Sequence, residues 1–351
     1  MQLSDQLKNE ITSHDKKVEQ TRELVKRFIH AVCFLSKQEL AFRGHDESST
    51  SINRGNYVEL LKYTAEYDPL LKAHLETSTV FKGVSNRIQN DLIEAVVKSL
   101  LEEIKLEIKL ANYVAVLVGE ITDVSNTAQF SIVLWYIHNG QTKERFIGFQ
   151  DVSQNRTDPE IAELIRQYLT EFDSNNKLIA QSYDGAASMA GRINGPSRKS
   201  IPRLWQLRLL GLISSENGKY DIYQKQFPQI EFSNLLSAYG NHFEEVRLRN
   251  ELTVFYAADD FKEKNSFELL QIMSDKSIST CFPQLSKLIS LICTIPVSTA
   301  LVERSFSALK RIKTYSRNRT GEKDYQIWRY CQLKQIFLNK SGKRTHSSKG
   351  L

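Results

Sequence analysis

Cysteine is scarce in this sequence: four in 351 residues, at Cys33, Cys281, Cys293 and Cys331. They are scattered and no two form a C-x-x-C pair. That spacing excludes a zinc knuckle and a disulfide framework, and it reads as a reduced, intracellular chain. No apolar run reaches 18 residues, so no membrane span is expected. The opening stretch, MQLSDQLKNEITSHDKK, is polar and charged and lacks the apolar segment of a secretory signal. Internal repeats and low-complexity blocks are also lacking, which excludes solenoids. Charge of one sign is not in large excess either: 47 basic residues stand against 41 acidic ones, a net of +6. Such a balance permits nucleic-acid binding without demanding it.

What the chain does have is a change of pattern near residue 112. Before it, apolar residues recur at helical spacing: Leu24, Val25, Phe28, Ile29, Val32 and Leu35, then Ile88, Leu92, Ile93, Val96, Val97, Leu100, Leu101 and Ile104. A polar stretch with two glycines, FRGHDESSTSINRGNY (42–57), separates the two runs. After residue 112, YVAVLVGE (113–120) reads as a strand buried on both faces. AQFSIVLWYIHNG (128–140) reads as a second strand ending in Asn139-Gly140, a strong hairpin signal, and QTKERFIGFQDV (141–152) as the returning strand. DPEIAELIRQYLTEF (158–172) predicts a helix with Asp158 as N-cap and Pro159 at its first position. LIAQSY (178–183) is a short strand that leads into Asp184-Gly185. Short helical pieces follow, and the stretch from 282 is helical with a break at Pro296. Three antiparallel strands, a crossover helix and a parallel strand make a mixed α/β sheet.

Carboxylates stand at three places along these elements: Glu120 and Asp123 after the first strand, Asp184 after the fourth, and Glu303 in a late helix. Two metal ions that assist phosphoryl transfer need several hard oxygen ligands on rigid supports around one cleft. Spacing alone does not separate such a set from solvated carboxylates in a chain with 41 acids.

The segments LIAQSYDGAASMAG and TIPVSTALVERSFSALKRIKTYSRN resemble those of hAT-superfamily transposases. LSKQELAFRGHDE, NRGNYVELLKYTAEYDPLL and VSNRIQNDLIEAVV resemble the N-terminal region of its zinc-finger MYM-type-like branch. The resemblance spans residues 30–195 and 280–322. It implies an RNase H-like mixed sheet core with a helical N-terminal region and a C-terminal helical dimerisation region. It also implies a carboxylate triad for metal-dependent DNA strand transfer. The second and third acids match Asp184 and Glu303. The first, an Asp in a family pattern like D-E-A-T-D, falls on Gly119 in the segment GEITD, with Glu120 and Asp123 as the only nearby substitutes. The resemblance therefore implies a degenerate copy, catalytically inactive, that needs no cofactor; an active one would take Mg²⁺ or Mn²⁺ on Asp184 and Glu303.

Other departures point the same way. Asp184 and Glu303 are 119 positions apart, a shortened insertion by the family's standard, and no Cys or His lies between Met189 and His242. No Cys/His set for an N-terminal zinc finger is present. Residues 324–335, DYQIWRYCQLKQ, match a one-base shift of codons for the family's usual helix, so a frameshift near Lys323 is expected. The expected organisation is a helical region over 1–110, the first part of the core over 111–195, a shortened insertion over 196–280, core-completing and dimerisation helices over 281–323, and an aberrant, disordered tail over 324–351. Expected partners are DNA and a second copy, with no membrane. Arg304, Lys310, Arg311, Lys313, Arg317 and Arg319 form the candidate phosphate-contacting stripe. A nuclear location is implied by the resemblance, with LKRIKTYSRNR as a basic import candidate. An active transposase or nuclease, and a protein-interaction module without a DNA role, stay open as alternatives.

Overall fold

The computed structural model describes residues 2–122, 128–153, 158–183, 211–213 and 219–296, apart from 39 and 49. These fall into two compact units that divide at Glu102/Glu103. The first unit is helical. It holds α1 (Gln2–Lys37), α2 (Asn56–Ala65), α3 (Pro69–Thr77) and most of α4 (Asn86–Leu110). The helical stretch expected from 56 on is thus three helices, broken around Asp68 and Gly83. Phe28, Val32 and Leu35 of α1 are buried with Tyr57, Leu61 and Leu71, as their spacing requires. Asp68 starts α3: its carboxylate accepts from the Leu71 amide at 3.0 Å as an N-cap and pairs with Arg27 at 2.7 Å.

The polar stretch between α1 and α2 is pinned by its two glycines. Gly44 and Gly55 pass backbone against backbone, so that a Cβ on Gly44 would lie 2.7 Å from the Gly55 nitrogen. Gly55 has φ +95°, a region that L residues avoid. We predict that Gly55→Ala destabilises this unit by at least ~2 kcal/mol, because strain and clash add. Urea unfolding followed by circular dichroism measures it, and Gly240→Ala, at a glycine with negative φ and an open approach, is the comparison with little change.

The second unit is a sheet between helices. Its strands are β1 (Val114–Thr122), β2 (Ala128–His138), β3 (Gln141–Asp151) and β4 (Leu178–Tyr183), in the order β3-β2-β1-β4. β1–β2 and β2–β3 are antiparallel and β1–β4 is parallel, as the sequence reading expects. Asn139 and Gly140 take φ 50° and 67°, the left-handed pair that a tight hairpin needs. α5 (Asp158–Glu171) carries the chain from β3 to β4, and it begins at Asp158 itself rather than after it. Then come α6 (Lys219–Lys225), α7 (Gln229–Tyr239), α8 (Glu245–Ala257), α9 (Ser266–Met273), α10 (Lys276–Cys281) and α11 (Pro283–Thr294).

These later helices share one core with the sheet, in which Ala115, Ile179, Phe232, Leu252, Leu288 and Ile292 are buried together. The Trp135 indole donates to the Cys293 carbonyl at 3.0 Å and ties β2 to α11. Glu251 of α8 accepts from the Leu285 amide at 2.8 Å and so caps α11, whose first turn otherwise leaves its amides without a side-chain partner. α11 ends before Pro296, as expected. Residues 196–210 and 214–218 of the insertion expected over 196–280, and the whole of 297–351, lie outside the described residues.

Candidate functional site at the ends of β1 and β4

β1 differs from the sequence expectation at the point that matters. Its ladder does not stop at Glu120: it continues through Ile121 to Thr122, paired with β2 down to Ala128. Backbone pairing with β2 outlasts the apolar run, because ladder bonds do not depend on side-chain polarity. Gly119 is therefore inside a strand rather than at its end. It is buried, sits opposite Ser131, and stands one residue beyond Val118↔Tyr183, the last described pair of the parallel ladder.

The residues that share Gly119's face follow from the alternation of the pleat. They include Leu117 and, across the ladder, Ser131 and Gln129, with Ser182 on β4 level with Leu117. Ser131 and Gln129 are buried, and the Gln129 side-chain oxygen has no hydrogen-bond partner among the described residues. Among the described residues this patch holds hydroxyl and amide groups but no carboxylate. Glu120 occupies the adjacent register position, opposite Phe130, and position 120 belongs to the other face of the pleat. Asp123, Asp184, Glu303, Arg304, Lys310, Arg311, Lys313, Arg317 and Arg319 lie outside the described residues.

A two-metal centre needs bridging oxygens at this place. Gly119 offers none, and among the described residues no group of three His, Cys, Asp or Glu is arranged to hold a metal ion. A cavity of about 320 Å³ opens at the opposite end of the sheet, beside Tyr113, Asn139, Met273 and Thr294. It has no Asp, Glu, His, Lys or Arg in its lining, so it offers no acid–base pair either.

The strongest electrostatic feature of this unit is structural, and the sequence reading missed it. Glu107, in the last turns of α4, meets Arg145 of β3 at 2.8 Å and accepts from the Tyr136 hydroxyl at 2.5 Å. All three are buried. Burial alone would raise the Glu107 pKa, but hydrogen bonds from Arg145 and Tyr136 outweigh it and hold the carboxyl below its ordinary value. Burial lowers and Glu107 raises the Arg145 pKa, and the net direction is up, so both groups are ionised. The only trace in the sequence is an acid placed three residues after Ile104, on the stripe that Ile104 continues. We predict that Glu107→Gln costs about 3–5 kcal/mol by leaving Arg145 buried without its counter-charge. Glu107→Leu with Arg145→Met should recover most of it in the same unfolding experiment. Because the folded pKa of Glu107 is depressed, its contribution is present above the unfolded carboxylate pKa. It is lost as pH falls through the lower folded value.

Comparison with known families agrees with this arrangement. Residues 1–195 match the family described as ZMYM1/FAM200, RNase-like domain. Residues 251–327 match the hAT family C-terminal dimerisation region, a span that starts within α8. Among the described residues no helix is long and apolar enough to cross a membrane. An RNase-like match over more than half of the chain, joined to a hAT dimerisation region, makes the chain a member of the ZMYM1/FAM200 RNase-like family and a hAT-derived, transposase-like protein.

Proposed function

We propose that this protein keeps the fold and the self-association region of a hAT transposase but not its strand-transfer chemistry. The observation that carries this is Gly119: a buried glycine in β1, next to the last described pair with β4, where the family resemblance expects a metal-bridging Asp. Loss of one bridging carboxylate removes the metal placement on which the reaction depends and lowers the rate by orders of magnitude. Glu120 is a poor substitute, since position 120 belongs to the other face of the strand. The remaining function is then contact with DNA through the stripe from Arg304 to Arg319, without sequence preference, and pairing with a second copy in the nucleus. Phosphate contacts of this kind weaken steeply with salt.

Calorimetric titration of Mn²⁺ into the wild type, Asp184→Ala, Gly119→Asp and Gly119→Asn tests the reading. The expected result is no saturable binding to the wild type or to Gly119→Asn, which adds bulk without charge, and new binding to Gly119→Asp. Saturable binding to the wild type that vanishes in Asp184→Ala would overturn it and would assign the missing ligand to Glu120 or Asp123.

A further inference from the structure

The first half of α1 carries a surface that its second half explains. The inward residues of α1 follow a heptad: buried Phe28 and Leu35 at one seam position, half-buried Val25 and buried Val32 at the other. The same seam continues toward the N-terminus through Thr21, Val18, His14 and Ile11. From Lys17 back to Glu10 it is not covered: every residue there is exposed, and Ile11 is 57% exposed, while Val18 is half-buried. A helix of 36 residues thus packs its last turns into the first unit and leaves its earlier turns bare.

The charges beside this seam say what covers it. On one side stand Glu10 and Lys17, on the other Lys8 and Asp15. We propose that this half of α1 pairs antiparallel with α1 of a second copy, with Ile11 against His14 on both sides of the axis. In that register Glu10 faces Lys17 of the second copy, and Lys8 faces Asp15, on both sides of the two-fold axis. The competing arrangements are penalised. A parallel pair sets Glu10 against Asp15 and Lys17 against Arg22. Sliding the antiparallel pair by one heptad sets Glu10 on Glu10 and Lys8 on Lys8 in one direction, or Lys17 on Lys17 and Asp15 on Asp15 in the other. A seam this short is marginal for two free helices. Its persistence rests on the C-terminal dimerisation region, which turns the contact into an intramolecular one.

Amide hydrogen exchange over residues 8–21 of the full chain tests the pairing, with sedimentation on the same samples. The variants are Glu10→Lys and the double exchange Glu10→Lys with Lys17→Glu. The single change creates two like-charge contacts and should speed exchange about tenfold, while the double change restores opposite charges and wild-type protection. A dimer whose three forms exchange alike would overturn the helix pairing alone. A monomer at all concentrations would overturn both the pairing and the dimerisation reading. Slower exchange in Glu10→Lys would overturn the antiparallel register in favour of the parallel one.

Discussion

The buried contact between Glu107, Arg145 and Tyr136 is the constraint on which the sheet's place in this protein depends. A carboxylate and a guanidinium taken out of water are held there only while each answers the other. That requirement fixes the last turns of α4 on β2 and β3 at a single register. The neighbouring residue on β2 does the same for the other face, since Trp135 reaches the Cys293 carbonyl of α11. Consecutive side chains on a strand face opposite ways, so one dipeptide, Trp135-Tyr136, binds both helical layers to the sheet. Lys177 adds to this, donating to the Ile108 and Lys109 carbonyls at the end of α4 just before β4 begins.

These contacts lie away from the ends of β1 and β4, where the proposed site stands. A substitution at position 119 therefore leaves the scaffold's main polar ties intact. Glycine keeps its ladder position opposite Ser131 and adds no bulk, so the sheet accommodates it; in the proposed reading the cost falls on the site alone, as one oxygen. Packing and catalysis make separate demands on such a fold, and one residue can fail the second without failing the first.

Much of the sheet was legible in the sequence because its signals are local. Asn139-Gly140 sets the hairpin, the apolar run from Tyr113 sets the central strand, and the residues from Leu178 to Tyr183 set the parallel strand with bounds that match. The end of β1 was not legible, because its pairing partner on β2 carries it past the apolar run to Thr122. Nor was the pairing of Glu107 with Arg145, which are 38 residues apart and meet only once the sheet is built. Of the candidate site, the sequence identified Gly119 as the odd residue. Its buried setting inside the strand, beside Gln129 and Ser131, needed the ladder.

The central claim is a transposase-like fold without strand-transfer chemistry, and nicking of supercoiled DNA by the purified wild type in Mn²⁺ tests it most directly. The account predicts no nicking above a protein-free control at any protein concentration. Metal-dependent nicking that disappears in Asp184→Ala would contradict it.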